Sequence, residues 1–179
     1  MKLHYSFISF LLISTLLCTA NAHAKGTYQQ PEDFISNAFK QSAPEPDIIW
    51  IKGELRQEIE NILQHKYKAK RIRYWKKQQR SVWVLEEIGK KKPITVGIII
   101  DNKKINQLKV LIFRETRGWE VRYPFFSKQF NQLSITNNNE LSSTVDGISG
   151  ATLSVRALTK LARIALLLNQ QILLTESNQ

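Results

Sequence analysis

Apolar residues recur at helical spacing in two segments of the N-terminal third of the chain. The clearer segment runs from Gly53 to Tyr67, where one helical face is predicted to carry Leu55, Ile59, Ile62, Leu63 and Tyr67. A shorter helix is predicted to begin at Pro31, because proline suits the first helical position and acidic residues follow it. Pro44 and Pro46 then end this pattern, and residues 25–70 are predicted to form an N-terminal helical region.

The period changes at Arg71 from helical spacing to short alternating or β-branched runs. The predicted strands are RIRYW, SVWVLEE, ITVGIII, INQLKVLIFRE and WEVRY, joined by short polar turns. A short helical turn in PFFSKQFNQ, a polar loop and a last amphipathic helix follow. The buried side of that helix is predicted to carry Leu158, Leu161, Ala165 and Leu168, and the polar side Arg156, Thr159, Lys160 and Arg163.

These elements predict an α+β fold in which an antiparallel meander is packed by the N-terminal helices and a C-terminal helix. Residues 71–179 form the α+β part, and residues 25–70 join it in one globular unit.

Residues 1–24 have the pattern of a secretory signal peptide. Lys2 precedes an apolar run from Tyr5 to Cys18, and Ala22-His23-Ala24 supplies a small-x-small cleavage pattern. The run is shorter than the roughly 20 residues of a membrane span. We therefore predict a periplasmic protein that begins near Lys25. The alternative is an uncleaved anchor in the inner membrane, with the domain facing the periplasm.

The composition of residues 25–179 restricts the chemistry that the side chains can supply. The segment has no Cys and a single His, His65. A disulfide or a thiolate metal site is therefore excluded, and any histidine-based site would depend on His65 alone. Its place near a predicted helix C-terminus favours a structural role. We assign no metal ligand and no catalytic residue.

The chain is strongly basic, with a formal net charge of +11. Export argues against nucleic acid as the partner. One stretch concentrates the charge: Lys66, Lys68, Lys70, Arg71, Arg73, Lys76, Lys77 and Arg80. Two hypotheses remain for this stretch. It is a basic edge strand that blocks sheet-to-sheet pairing, or it is a docking surface for an anionic membrane or an acidic redox partner.

The segment VDGISGATLSVRAL precedes the last predicted helix. Asp146-Gly147 is a turn pair, and Ser149 or Thr152 is expected to cap the helix through its hydroxyl. The free amides and the positive dipole end of that helix would also stabilise a phosphate. From the residues alone, a plain helix cap and an anion site both remain open.

The same segment resembles the flavinylation motif of the FMN-binding domain family, Asp-x-x-Ser/Thr-Gly-Ala-Thr. The matching residues are Asp146, Ser149, Gly150, Ala151 and Thr152. That family includes the C subunit of sodium-translocating NADH:quinone reductases and the G subunit of Rnf complexes. The resemblance implies that Thr152 carries FMN through a phosphoester bond made by an FAD:protein FMN transferase. After Thr152 the family often continues with two hydroxyl residues, whereas this chain has Leu153 and then Ser154.

A second segment, RETRGWE, resembles the Glu-Thr-Pro-Gly segment that lies beside the flavin in this family. Glu115, Thr116 and Gly118 match, whereas Arg117 replaces the proline and Trp119 a small aliphatic residue. The resemblance adds these three matching residues to the cofactor-binding set, together with Leu153. An inward-pointing Arg117 would favour the anionic reduced flavin. The alternative is a simple hairpin turn with a tryptophan packed on the sheet.

The resemblance implies an exported flavoprotein that transfers electrons rather than an enzyme in its own right. Its partners would be the transferase, a membrane reductase or cytochrome as donor, and an unknown acceptor. Two alternatives remain. One is a basic exported binding module that holds FMN or another anion non-covalently. The other is a small flavin reductase, for which the sequence offers no general acid–base pair.

Overall fold

A five-stranded antiparallel sheet forms the centre of the computed structural model, which describes residues 26–177. The strands are β1 (Asp47–Trp50), β2 (Arg71–Lys77), β3 (Arg80–Ile88), β4 (Pro93–Asp101) and β5 (Lys104–Phe113). They lie in the order β1-β2-β3-β4-β5. The predicted meander is therefore confirmed, and β1 and β5 are its two edge strands.

Helices cover both faces of this sheet. The α-helices are α1 (Pro31–Ala38), α2 (Gly53–Leu63), α3 (Pro124–Ser127) and α4 (Thr152–Ser177); two 3₁₀ helices flank α3, at Trp119–Arg122 and Lys128–Phe130. In α4 the predicted apolar side is buried, and Arg156 on the predicted polar side is exposed. The α+β fold class is confirmed, including the C-terminal helix that begins at the motif.

The larger core lies between one face of the sheet and the helices α2 and α4. Trp83 is fully buried there and stacks on Tyr74, with ring centroids 5.1 Å apart. A smaller core lies under α1 on the other face, around Phe34 and Leu111. Burial of both apolar faces is the main stabilisation of this fold.

Two local predictions differ from the structure. The region 25–70, predicted to be helical, also contains β1, because Ile49 pairs with Ile72 and buries against α2. WEVRY is not a strand: Trp119–Arg122 forms a 3₁₀ helix. The outer edge of β5 is already occupied, since the Phe113 N–H donates to the Gly26 carbonyl at 2.8 Å.

None of the helices within residues 26–177 is both long enough and apolar enough to span a bilayer. The signal-peptide prediction for residues 1–24 lies outside the described residues.

Candidate functional site

The turn that leads into α4 places Thr152 at the first helical position. The Ala151 N–H donates to the Ile148 carbonyl at 3.0 Å, and the Val155 N–H donates to the Ala151 carbonyl at 2.9 Å. Gly150 between them has φ +83°, and a Cβ there would meet no atom within 4 Å. A glycine is therefore favoured at this position by the backbone conformation and not by a lack of space for a side chain. The geometry leaves Thr152 and Leu153 exposed and Ala151 buried.

The helix start lacks the side-chain cap that the sequence predicted. Ala151 accepts the first intrahelical bond, so it holds the cap position, and its side chain has no acceptor. Within residues 26–177, no hydroxyl or carboxylate accepts a bond from the backbone amides of Thr152, Leu153 or Ser154. Ser149 and Asp146 are exposed, and the Asp146 N–H donates to Gln129 Oε1 at 2.7 Å. The first turn of α4 therefore presents free amides at the positive end of a 26-residue helix.

The two sequence segments that resembled the flavin site meet at Gly118. This glycine has φ +83°, and a Cβ built on it would lie 2.6 Å from Ser154 Oγ and 3.5 Å from Ala151 Cα. Only a glycine lets the backbone after β5 approach the first turn of α4 this closely. Thr116 and Arg117 lie exposed on the turn before it. The condition stated for Arg117, an inward-pointing side chain, is thus not met by its exposed position.

Glu115 holds a neighbouring turn through its carboxylate. Its Oε1 accepts the backbone N–H groups of Lys90, Lys91 and Lys92 at 2.6, 2.5 and 2.8 Å. Partial burial raises the pKa of the Glu115 carboxyl, but the three amide donors outweigh it, so that the net pKa is lowered. Glu115 thus fastens the turn between β3 and β4 to the segment that carries Gly118.

A cluster of exposed aromatic side chains follows Gly118 and surrounds one guanidinium group. We call Tyr28, Trp119, Tyr123 and Phe125 the aromatic cluster. The Arg122 Cζ lies 4.5 Å from the ring centroid of Tyr28, 5.1 Å from that of Trp119 and 4.9 Å from that of Tyr123. Phe125 stacks beside Tyr123 with centroids 6.2 Å apart and is 64% exposed.

The sequence did not predict this cluster, because WEVRY has the alternation of a strand. In a 3₁₀ helix, residues three apart lie above one another, and this brings Trp119 and Arg122 to the same side. The i, i+3 spacing was the available signal. The contribution of Tyr28 had no local signal, since it depends on pairing of the N-terminal segment with β5.

An orphan carboxylate oxygen lies in the same 3₁₀ helix. Glu120 Oε2 is buried and has no hydrogen-bond partner among the described residues. Buried acceptors normally find a partner, so this atom is available to a donor from outside the described residues.

His65 lies in a separate, structural cluster. Its Nε2 is 3.0 Å from Glu87 Oε1, and Lys160 Nζ on α4 is 3.7 Å from the same oxygen. The Lys66 carbonyl and the Glu87 carboxylate raise the pKa of His65. Glu87 is buried where α2, β3 and α4 meet, and its partners there are the Lys160 ammonium and the His65 imidazole.

Comparison with protein-family models identifies a family for part of the chain. Residues 89–167 match the model of a family described as the FMN-binding domain. The match begins after β3 and includes both segments that meet at Gly118. Neither a curated protein nor a solved structure matches the chain significantly.

Proposed function

Residues 89–167 belong to the FMN-binding domain family, and from this premise we propose that the protein is an exported flavoprotein with FMN joined to Thr152 by a phosphoester bond. It would transfer electrons between a membrane reductase or cytochrome and an extracytoplasmic acceptor. The observation that carries the proposal is the position of Thr152, exposed at the first turn of α4 and within the matched segment.

The helix start fits a phosphate-linked group. A phosphodiester at Thr152 keeps one negative charge, which the free amides and the dipole of α4 would stabilise. No described residue donates to or accepts from the Thr152 hydroxyl, so it is open to an external enzyme. The orphan oxygen of Glu120 lies in the adjoining 3₁₀ helix and could accept a bond from a bound ligand.

The attachment reaction requires an external catalyst. Thr152 Oγ would form a bond to the FMN phosphorus of FAD, the pyrophosphate bond would break, and AMP would leave. No His, Asp or Glu within the described residues is hydrogen-bonded to the Thr152 hydroxyl and could take its proton. The FAD:protein FMN transferase supplies that base in this proposal.

Bound FMN would supply the one- and two-electron chemistry. The residues of this chain would orient the ring and set its electrostatics. The aromatic cluster offers exposed ring faces for stacking, and Arg122 offers a fixed cation, whereas Arg117 stands free in solvent. We assign to Arg122 the electrostatic role first considered for Arg117.

The test is the intact mass of the protein purified from cells that contain the transferase. The mass should rise by FMN less one water, and in-gel flavin fluorescence should survive denaturing electrophoresis. Thr152→Ala should abolish both signals. Thr144→Ala is the matched control, since Thr144 is an exposed threonine just before the motif, and the signals should remain.

The free amides also support the alternative of non-covalent anion binding. In that case the native protein would bind flavin, but denaturation would release all of it and Thr152→Ala would change little. Wild-type protein without the mass increment under these conditions would exclude the covalent proposal. Cell fractionation would test the periplasmic location: recovery in the cytoplasmic fraction would exclude export.

A further inference from the structure

The outer face of β1 and β2 is a part of the sheet that α1 leaves open. Ile49 and Ile72 point into the larger core, so their neighbours Ile48, Trp50 and Arg73 point to the opposite face. On that face α1 packs mainly against β3 and β4. A groove of about 570 Å³ separates α1 from β2.

Apolar and cationic side chains alternate across this face. Trp50 is directly opposite Arg71, and Ile48 is opposite Arg73. Trp50 is 57% exposed and Ile48 is 38% exposed, and the Arg71 guanidinium lies 5.9 Å from the Trp50 ring centroid. We call these four residues the tryptophan–arginine face.

The contacts of the basic stretch divide its eight residues into two groups. Lys66, Lys76 and Arg80 are paired within the protein, with Glu60, Glu176 and Asp101 respectively. The others are exposed and have no carboxylate within 4 Å among the described residues: Lys68, Lys70, Arg71, Arg73 and Lys77. The Glu86 carboxylate on the neighbouring strand is paired with Arg114 at 3.3 Å, so it does not neutralise them.

The pairing of β2 restricts the hypothesis of a basic edge strand to its second half. β1 pairs with Arg71–Tyr74 and β3 with Tyr74–Lys77, so Lys76 and Lys77 lie at an open edge beyond β1, whereas Arg71 and Arg73 have β1 beside them. The true edge, β1, has the sequence DIIW and carries no Lys or Arg. Charge that blocks edge pairing would lie on β1. Arg71 and Arg73 lie behind β1 rather than on the outermost strand, so blocking of edge pairing does not explain them.

We propose that the tryptophan–arginine face, with Lys68 and Lys70 beside it, docks the protein on an anionic phospholipid surface. Tryptophan prefers the headgroup region of a bilayer, and clustered cations are attracted by anionic lipid. The face lies outside residues 89–167, so it is separate from the segment that the FMN-binding family shares. Docking would keep the proposed flavin site close to membrane-bound donors, but the docking itself does not depend on flavin.

The test is sedimentation of the flavin-free protein with vesicles of phosphatidylcholine alone or mixed with phosphatidylglycerol. Binding should require phosphatidylglycerol and should weaken as salt rises. Arg71→Gln and Arg73→Gln together should weaken it about 25-fold, at about fivefold for each cation near the surface. Trp50 fluorescence should shift to the blue on binding, and Trp50→Ser should remove this part of the shift.

The matched control is Lys103→Gln with Lys128→Gln, two exposed lysines near β5 at the opposite edge of the sheet. This variant has the same net charge as the arginine variant and should bind like the wild type. Circular dichroism would verify that each variant is folded. The apolar segment in residues 1–24 would promote binding to both kinds of vesicle. The ratio of binding with and without phosphatidylglycerol therefore reports the contribution of the tryptophan–arginine face.

Equal losses in the two double variants would overturn the proposal in favour of general charge attraction. Absence of binding at low salt would also overturn it and would favour an acidic protein as the partner. Neither result would bear on the proposed flavin attachment, because attachment at Thr152 is measured separately, by the intact mass of the protein.

Discussion

Replacing Gly118 with alanine tests the contact that joins the two halves of the candidate site. The new Cβ would lie 2.6 Å from Ser154 Oγ, well inside contact distance, at a residue with φ +83°. The left-handed conformation costs an alanine about 1–2 kcal/mol. Overpacking against the first turn of α4 adds about 1–3 kcal/mol. We therefore expect Gly118→Ala to lower the free energy of unfolding by about 2–5 kcal/mol.

Gly150 provides a matched control for this experiment. It has the same φ of +83°, but a Cβ there would meet no atom within 4 Å. Gly150→Ala should therefore show the conformational cost alone, about 1–2 kcal/mol. Urea unfolding followed by circular dichroism measures both values in the flavin-free protein.

A double variant separates the packing cost from the conformational cost. Adding Ser154→Ala to Gly118→Ala removes the Oγ atom that the new Cβ meets, and should return the stability towards that of Gly150→Ala. If the two glycine variants lose equal stability and Ser154→Ala rescues nothing, the contact between the two segments does not exist as described.

Three further predictions concern charged groups. The Lys66 carbonyl and the Glu87 carboxylate raise the pKa of His65, so their contacts stabilise the fold while the imidazole is protonated. His65→Gln should therefore lower the free energy of unfolding by about 0.5 kcal/mol below the unfolded pKa near 6.5, and this loss should vanish as pH rises through the folded pKa. Urea midpoints between about pH 5.5 and 8.5 measure the difference. The pH dependence expected for Glu115 is the reverse, because its folded pKa is lowered. Glu115→Gln should lower the free energy of unfolding by about 1 kcal/mol at neutral pH, and this loss should vanish as pH falls through the folded pKa. Urea midpoints from about pH 6 to 3 measure the loss. In the loaded flavoprotein, Arg122→Gln should lower the flavin midpoint potential by about 30 mV in a redox titration, whereas Arg117→Gln should leave it unchanged.

A specific experimental result would contradict each of these three predictions. A constant difference across pH for His65→Gln would mean that the imidazole acts through packing rather than charge. A Glu115→Gln variant as stable as the wild type would mean that the three amides are satisfied without a carboxylate. Equal shifts in the two arginine variants would show that Arg122 has no special position.

Much of the fold was predictable because its signals are local. The helix that carries Ile59 and the strand that carries Val96 follow from the spacing of neighbouring apolar residues, and the turns between β3, β4 and β5 follow from short polar segments. WEVRY could not be assigned in this way. Whether an alternating segment forms a strand depends on a free edge, and Gly26 and Tyr28 occupy the edge of β5 from a distant part of the chain.

The candidate site was predictable to a similar extent. The motif placed Thr152 at a helix start, and the structure has α4 begin there. The expected cap was wrong because Ala151, rather than Ser149 or Thr152, holds the cap position. The approach of Gly118 to Ser154 and the contact of Tyr28 with Arg122 are tertiary contacts, and no spacing in the sequence encodes them.

The continuous sheet makes residues 89–167, the segment that matches the family, unsuitable for excision as a separate fragment. The match begins at residue 89, yet β4 pairs with β3 along its whole length, from Ile88 opposite Pro93 to Arg80 opposite Asp101. A fragment of residues 89–167 would expose the bare edge of an almost wholly buried strand. The boundary of the family match is thus not a boundary of folding. A transplantable flavin module would have to carry β1, β2 and β3 with it, and with them the tryptophan–arginine face.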